Sequence, residues 1–248
     1  QRDGEPAWDY NVGSKNLRGR PGWHIECSAM SKAGLGIPFD IHTGGVDLMF
    51  PHHENEIAQS TACEAEPTLA PFFVHNEHLL VDGRKMSKSL GNFHTLETIK
   101  AKGYDPLAFR LMVLQAHYRS QTDFTWVNLA AATNRLRGFR TMSDLRFQPQ
   151  TEGESEEVID TAKRRILTTL QNDLATPEAL SILNEFTAAV DKNGLSHKAL
   201  PKFKDFIVWL DDLFGLQLSE SKDITASQFK PIEERNEAKR AKDWTKAD

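Results

Sequence analysis

The sequence predicts a mixed fold: an α/β portion to about residue 93, a short helical connector, then an all-α bundle. Three observations predict it. Up to Phe93, short β-prone apolar runs alternate with helical patterns and glycine turns. One such run passes from Pro38-Phe-Asp-Ile-His42 into Thr43-Gly44-Gly45 and then toward a helix. A strand, glycine turn and helix in that order present a ligand site at a strand's carboxyl end. From Trp126 onward no segment has a strand pattern.

Each element has a local reason. Residues 1 to 22 carry Gly, Pro, Asn and Arg without a sustained period and read as a surface loop. Trp23 to Ala33 is helical and is closed by Gly34 and Gly36. Pro51 suits a helix's first turn, and that helix runs to about Ala65. Phe72 to Val74 and Leu79 to Val81 are expected strands, with Asp82-Gly83 as the turn that leads into a Ser- and Gly-containing loop. Thr95 to Lys102 and Pro106 to His117 have helical spacing. Further helices are expected at about 126–146, 156–172, 177–192, 198–214 and 226–247, joined by polar segments.

With 248 residues, the chain makes one large domain or two modest ones. Its 39% hydrophobic and 26% charged content is that of an ordinary globular protein. A net charge of −5 excludes a general nucleic-acid binder held by a global positive field, so any RNA contact needs a local patch. Basic runs such as Lys163-Arg-Arg165 and Arg235 to Lys242 are candidates, and equally ordinary solvated helix faces. No apolar run approaches the roughly 20 residues of a membrane span. Two cysteines give no disulfide framework. Cys63, in an Ala- and Glu-rich stretch, reads as a packing residue.

Three runs carry chemistry. Lys85-Met-Ser-Lys88-Ser89, followed by Leu-Gly-Asn, puts two ammonium groups on a loop that can close on a polyphosphate. His52 and Glu56, four apart on a helix, share a face. With Cys27 they offer imidazole, carboxylate and thiolate, all accepted by zinc. Spacing alone leaves a solvated surface pair as the competing reading; His53 and Glu54 are expected on other faces of that helix and are second choices as ligands. Gly44-Gly45-Val46-Asp47 offers close backbone approach and then one carboxylate, suited to ribose hydroxyls, although such a run is usually just a turn.

Together these strings resemble a known family. Lys85 to Ser89 reads KMSKS, the second signature of class I aminoacyl-tRNA synthetases. GRPGWHIECSAM, FDIHTGGVDLMFPHHENEIAQS and HLLVDGRKMSKSLGNF together look like cysteinyl-tRNA synthetase, and HYRSQ, DLATPEAL and IEERNEAKRAKDW extend the likeness over nearly the whole chain. The resemblance implies the second half of a class I Rossmann-like nucleotide fold over residues 1–93, ending in the KMSKS loop. It implies a stem-contact connector over 94–125, and a tRNA-contacting helical bundle over 126–248. It also implies ATP-dependent activation of cysteine, with Mg2+ beside the ATP, and transfer to tRNA(Cys), in a cytoplasmic enzyme for which a monomer is the favoured state. Lys88, assisted by Lys85, would act on the phosphates, and Gly45 and Asp47 would hold the nucleotide. Zn2+ would sit on Cys27, His52 and Glu56, with Trp23 and His42 lining the cysteine pocket.

The sequence also departs from that family. The first ATP-contacting signature does not occur, nor does the cysteine that supplies a fourth zinc ligand. Asn11-Val-Gly-Ser-Lys-Asn-Leu-Arg18 is longer and more polar than the family's usual Pro-Trp-containing link. The expectation is a fragment, inactive alone, of a longer enzyme, with a shortened paralogue as the alternative. Two rival functions stand beside the ligase: a related cysteine ligase acting on an amino-sugar, and a non-catalytic zinc- or tRNA-binding module.

Overall fold

The computed structural model describes residue 4 and residues 6–63, 68–87, 91–148 and 152–247. Packing divides the chain into two compact units, one of residues 1–86 with 118–123, the other of 87–117 with 124–248.

The first unit is α/β. Strands β1 (Trp8–Val12) and β2 (Lys15–Gly19) form an antiparallel hairpin where a loop was expected. Gly13 at φ +62° makes the turn. The alternation Trp8, Tyr10, Val12 is strand-like, but Asn11, Gly13 and Asn16 mask it. Helix α1 (Trp23–Leu35) ends at Gly36, whose φ of +81° suits glycine and whose N–H donates to the Lys32 carbonyl. Strand β3 (Ile41–Gly45) lies later than the expected 38–42. Gly44 and Gly45 are therefore inside the strand rather than in a turn after it.

Next come a 3₁₀ turn, Val46–Leu48, and a wide turn, Met49–His53, in which Phe50 is extended (φ −139°, ψ 133°). Only then does α2 (Glu54–Cys63) begin, so Pro51 belongs to this irregular entry and not to a regular first turn. Ala65 and the side chain of Cys63 lie outside the described residues. Strand β4 (Phe72–Asn76) runs parallel to β3, with His42 beside Phe73 and Gly44 beside His75. Phe39, Leu69 and Ala70 form a small core under this pair, with Ile37, Ile57 and Phe73 against it.

Strands β5 (Leu79–Val81), β6 (Arg84–Lys85) and β7 (Thr122–Phe124) form a three-stranded sheet in the order β6-β5-β7. Asp82 and Gly83, both at positive φ, turn β5 into β6. Lys85 consequently sits in a strand opposite Leu80, not on a loop. Lys88 lies outside the described residues. β7 falls in the stretch where only helices were expected.

The second unit is helical. α3 (Leu96–Ala101) is capped by Thr95, and α4 (Pro106–Leu114) by Asp105 with Pro106 in its first turn. α4 stops three residues short of the expected His117. α5 (Trp126–Asp144), capped by Thr125, buries Leu129, Ala132, Leu136 and Phe139, a stripe at helical spacing. α6 (Glu156–Leu170), α7 (Thr176–Asn193) and α8 (Leu200–Phe214) bury similar stripes, among them Ile159, Ile166, Phe186 and Phe206. The expected last helix is two: α9 (Ala226–Arg240) and α10 (Trp244–Ala247), separated where Lys242 takes φ +58°. Among the described residues no helix is long and apolar enough to cross a membrane.

Candidate metal and nucleotide site

The ligand atoms of Cys27, His52 and Glu56 all lie within 4.8 Å of one another, in the first unit. α1 supplies the thiol, the wide turn the imidazole, and α2 the carboxylate. Ser28 on α1 donates to Gln59 on α2 at 3.1 Å, which sets the two helices side by side.

Glu56 is fully buried, and its two oxygens have different surroundings. The Nε2–H of His42 donates to Oε2 at 2.9 Å. Oε1 lies 2.6 Å from Nε2 of His52, yet has no hydrogen-bond partner. That contact is close without hydrogen-bond alignment. A buried carboxylate oxygen left this way is costly. Two lone pairs facing a thiol across a few ångströms are the donor set that a zinc ion satisfies. The residues present therefore fit a metal. Nδ1 of His52 lies 2.7 Å from Nδ1 of His24. If His52 uses Nε2 as a ligand, Nδ1 carries the proton and donates to His24, which fixes the ring.

Burial, then the Glu56 and Glu26 carboxylates, push the Cys27 thiol above its usual range. These influences favour the neutral thiol, and a cation at the site would oppose them.

His53 is buried. It forms a second group of possible ligands with His42 and Glu56, and its Nδ1 lies 2.8 Å from Nε2 of His75 on β4. Burial, then the neighbouring His42, His75 and His52, lower its pKa to about 4. Gly44 is required here. A Cβ at that position would come within 2.8 Å of the His53 ring. Sequence spacing indicated neither His24 nor His75, because each reaches the site from a different element. The clustering of His24, His42, His52, His53 and His75 within one 52-residue span was the available signal.

Of the other expected site residues, Trp23 is 56% exposed with its ring centroid 4.3 Å from that of His52. His42 is held by Glu56 and packs edge-on against Phe39 and Phe73. Gly45 ends β3, and Asp47 is exposed, with Oδ1 3.9 Å from Nε2 of His78.

Residues 1–134 match the family described as tRNA synthetases class I (C) catalytic domain, and the chain belongs to that class I tRNA synthetase family. Its similarity runs in particular to proteins named cysteine--tRNA ligase. The protein of that name from Opitutus terrae is 42% identical over 246 residues, covering 99% of this chain and 50% of the relative. That from Leptospira interrogans serovar Lai is 38% identical over 259 residues, covering 99% and 54%. That from Chlamydia felis is 39% identical, covering 100% and 53%. The chain spans about half the length of the curated relatives it matches. Among solved structures, a ternary complex of Agrobacterium radiobacter K84 LeuRS with tRNA and LeuAMS matches with a TM-score of 0.58 at 16% identity. That match covers 76% of this chain and 28% of the other, and bears on the fold.

Proposed function

We propose that this chain is part of a cysteine–tRNA ligase, which forms cysteinyl adenylate from cysteine and ATP with release of pyrophosphate, then passes the cysteinyl group to tRNA(Cys) with release of AMP. The observation that carries the reading is the meeting of Cys27, His52 and Glu56. The names of the relatives support it over an amino-sugar ligase.

Cys27, His52 and Glu56 would hold Zn2+. Zinc binds thiolate strongly, so when bound it supplies a preference for the sulfur of cysteine over the oxygen of serine. A plain pocket separates such near-isosteres by only about 10²-fold. His42 fixes Glu56 by donating to Oε2, so that Oε1 keeps its direction. Trp23 offers an open aromatic wall against His52.

On the nucleotide side, Gly45 permits close backbone approach and Asp47 would accept the ribose hydroxyls. Lys88, with Lys85, would meet charge that builds on the leaving pyrophosphate, with Mg2+ alongside. No side-chain nucleophile is needed, because the substrate carboxylate attacks the α-phosphate. In fold terms, residues 1–93 form the second half of a Rossmann-like domain. Residues 94–125 would contact the tRNA stem, and 126–248 would form the tRNA-contacting bundle. A monomer in the cytoplasm, where thiols stay reduced, suits the free Cys27.

The test is ligand discrimination. Zinc-loaded protein is titrated with cysteine and with serine, and its metal content is measured beside that of the Cys27→Ser variant. Selective cysteine binding, with zinc lost from the variant, is expected. Equal binding of the two amino acids, or unchanged zinc in Cys27→Ser, would sink the reading. Lys88→Ala, in a polypeptide that supports cysteine-dependent ATP–pyrophosphate exchange, should slow exchange by about 10²–10³-fold. Its zinc content should be unchanged.

A further inference from the structure

We propose that His42, His53 and Glu56 hold a second divalent cation, bound through imidazole nitrogen and carboxylate oxygen without sulfur, with Glu56 bridging it to the ion on Cys27 and His52. This rests on the reading that Cys27, His52 and Glu56 hold the first ion. Neither that ion nor the nucleotide gives His53 a partner.

The three ligands come from three elements: His42 from β3, His53 from the wide turn and Glu56 from α2. One ligand atom from each lies within 4.8 Å of the other two. The rings of His42 and His53 lie alongside each other, with centroids 4.3 Å apart and planes inclined by 32°. A buried carboxylate needs positive charge beside it, yet the partners of Glu56 are imidazoles, His42 at Oε2 and His52 at Oε1. Two oxygens can serve two ions. The first ion takes Oε1, and Oε2 is left to His42, whose ring leads on to His53. A cation at Oε2 takes the place of the proton between His42 and Glu56, and that proton passes to Nδ1 of His42.

His53 is prepared as a ligand. Its Nδ1 lies 2.8 Å from Nε2 of His75 on β4. With the proton on Nδ1 and donated to His75, Nε2 carries a lone pair, and the ring is fixed as ligand imidazoles are fixed. Gly44 leaves the flank of that nitrogen open, since a Cβ there would stand 3.0 Å from Nε2. Phe39 and Phe73 pack edge-on against His42, an apolar wall that limits access of water. Two imidazoles and a carboxylate suit zinc, cobalt or nickel. Without a thiolate, and beside a like-charged ion, the second cation binds more weakly than the first.

The experiment titrates metal-free protein with Co2+ and follows absorption. A thiolate on cobalt gives a near-ultraviolet charge-transfer band, whereas imidazole and carboxylate add only to the weak visible bands. The first equivalent should raise both, and the second the visible bands alone. Elemental analysis after dialysis against Zn2+ should find two ions per chain. His53→Gln, and His75→Phe through His53, should each weaken the second ion about ten-fold or more while the charge-transfer band stays. Cys27→Ala, which leaves the second ligand set whole, should lose the band and keep one cobalt ion that an added His53→Gln removes. Circular dichroism checks that the variants fold.

The proposal is overturned if the parent stops at one ion per chain. It is equally overturned if the second ion binds His53→Gln and His75→Phe as tightly as the parent, which would mark an adventitious ion only. A parent that never shows the charge-transfer band but holds a His53-dependent ion would keep this site and strike the zinc reading of Cys27, so the two readings fail separately.

Discussion

At the residue scale, Glu56 organises the candidate site because each of its oxygens faces a different histidine. Glu56→Gln keeps the shape and removes the charge, and should lower zinc affinity by about ten- to a hundred-fold or more, measured by competition with a chelator. His53 gives a pH prediction for the zinc-free protein. Its folded pKa of about 4 lies below the ordinary 6.5, so the folded state binds fewer protons between those values. Its contribution to stability is therefore present above about pH 6.5 and lost as pH falls toward 4. Urea midpoints across that window should fall on acidification, and His53→Gln should flatten the slope. An unchanged slope would remove His53 as the cause. The pairing of His52 with Glu56 was legible because both lie at helical spacing near one chain segment. The contacts of His24 and His75, and the bond from His42 to Glu56, were not, because their partners come from other elements and only tertiary packing sets the distances.

At the element scale, the long helices of the second unit were legible because each buries a regular apolar stripe. Their ends follow caps that the sequence displays, such as Asp105-Pro106 and Thr125. The hairpin and β7 were not legible, since five or fewer residues with polar interruptions show too little alternation to register. β3 was misplaced because the glycines in it read as a turn. In the strand, Gly44 is demanded by the His53 ring instead. Two variants probe elements directly. Arg146 is buried and donates to the carbonyls of Ser143, Leu218, Ser219 and Ser221. Arg146→Ala takes this donor from all four, although the Leu218 carbonyl keeps the Ser143 hydroxyl, and should destabilise the second unit by about 2–4 kcal/mol, seen in chemical denaturation. Thr225 and Gln228 form a capping box at the start of α9, in which only Ala238 is buried. Thr225→Ala should cost about 1 kcal/mol. The loss should show as faster hydrogen exchange in α9 and little change elsewhere.

At the scale of the whole molecule, the two units differ in how much apolar surface they bury. Among the described residues, the buried hydrophobic side chains of the first unit are Phe39, Leu69, Ala70 and Val81, while the second unit holds the remaining core. Calorimetry of the metal-free chain should show two transitions, the first unit melting lower. Zinc should raise only that lower one, by about 2.7 kcal/mol at a hundred times its dissociation constant. A single transition, or one in which zinc moves both, would contradict this. The division also bears on how the chain is made. Residues 118–123 belong to the first unit although α3 and α4, which precede them, belong to the second. Ribosomal synthesis runs from the amino end, so the first unit cannot be finished until the start of the second has already emerged. β7, the last strand of the β6-β5-β7 sheet, arrives late, and a gene cut at residue 87 would remove it. Expression boundaries for the first unit should therefore run past residue 123, and a nascent chain stalled before it should be captured by a chaperone that a longer one escapes.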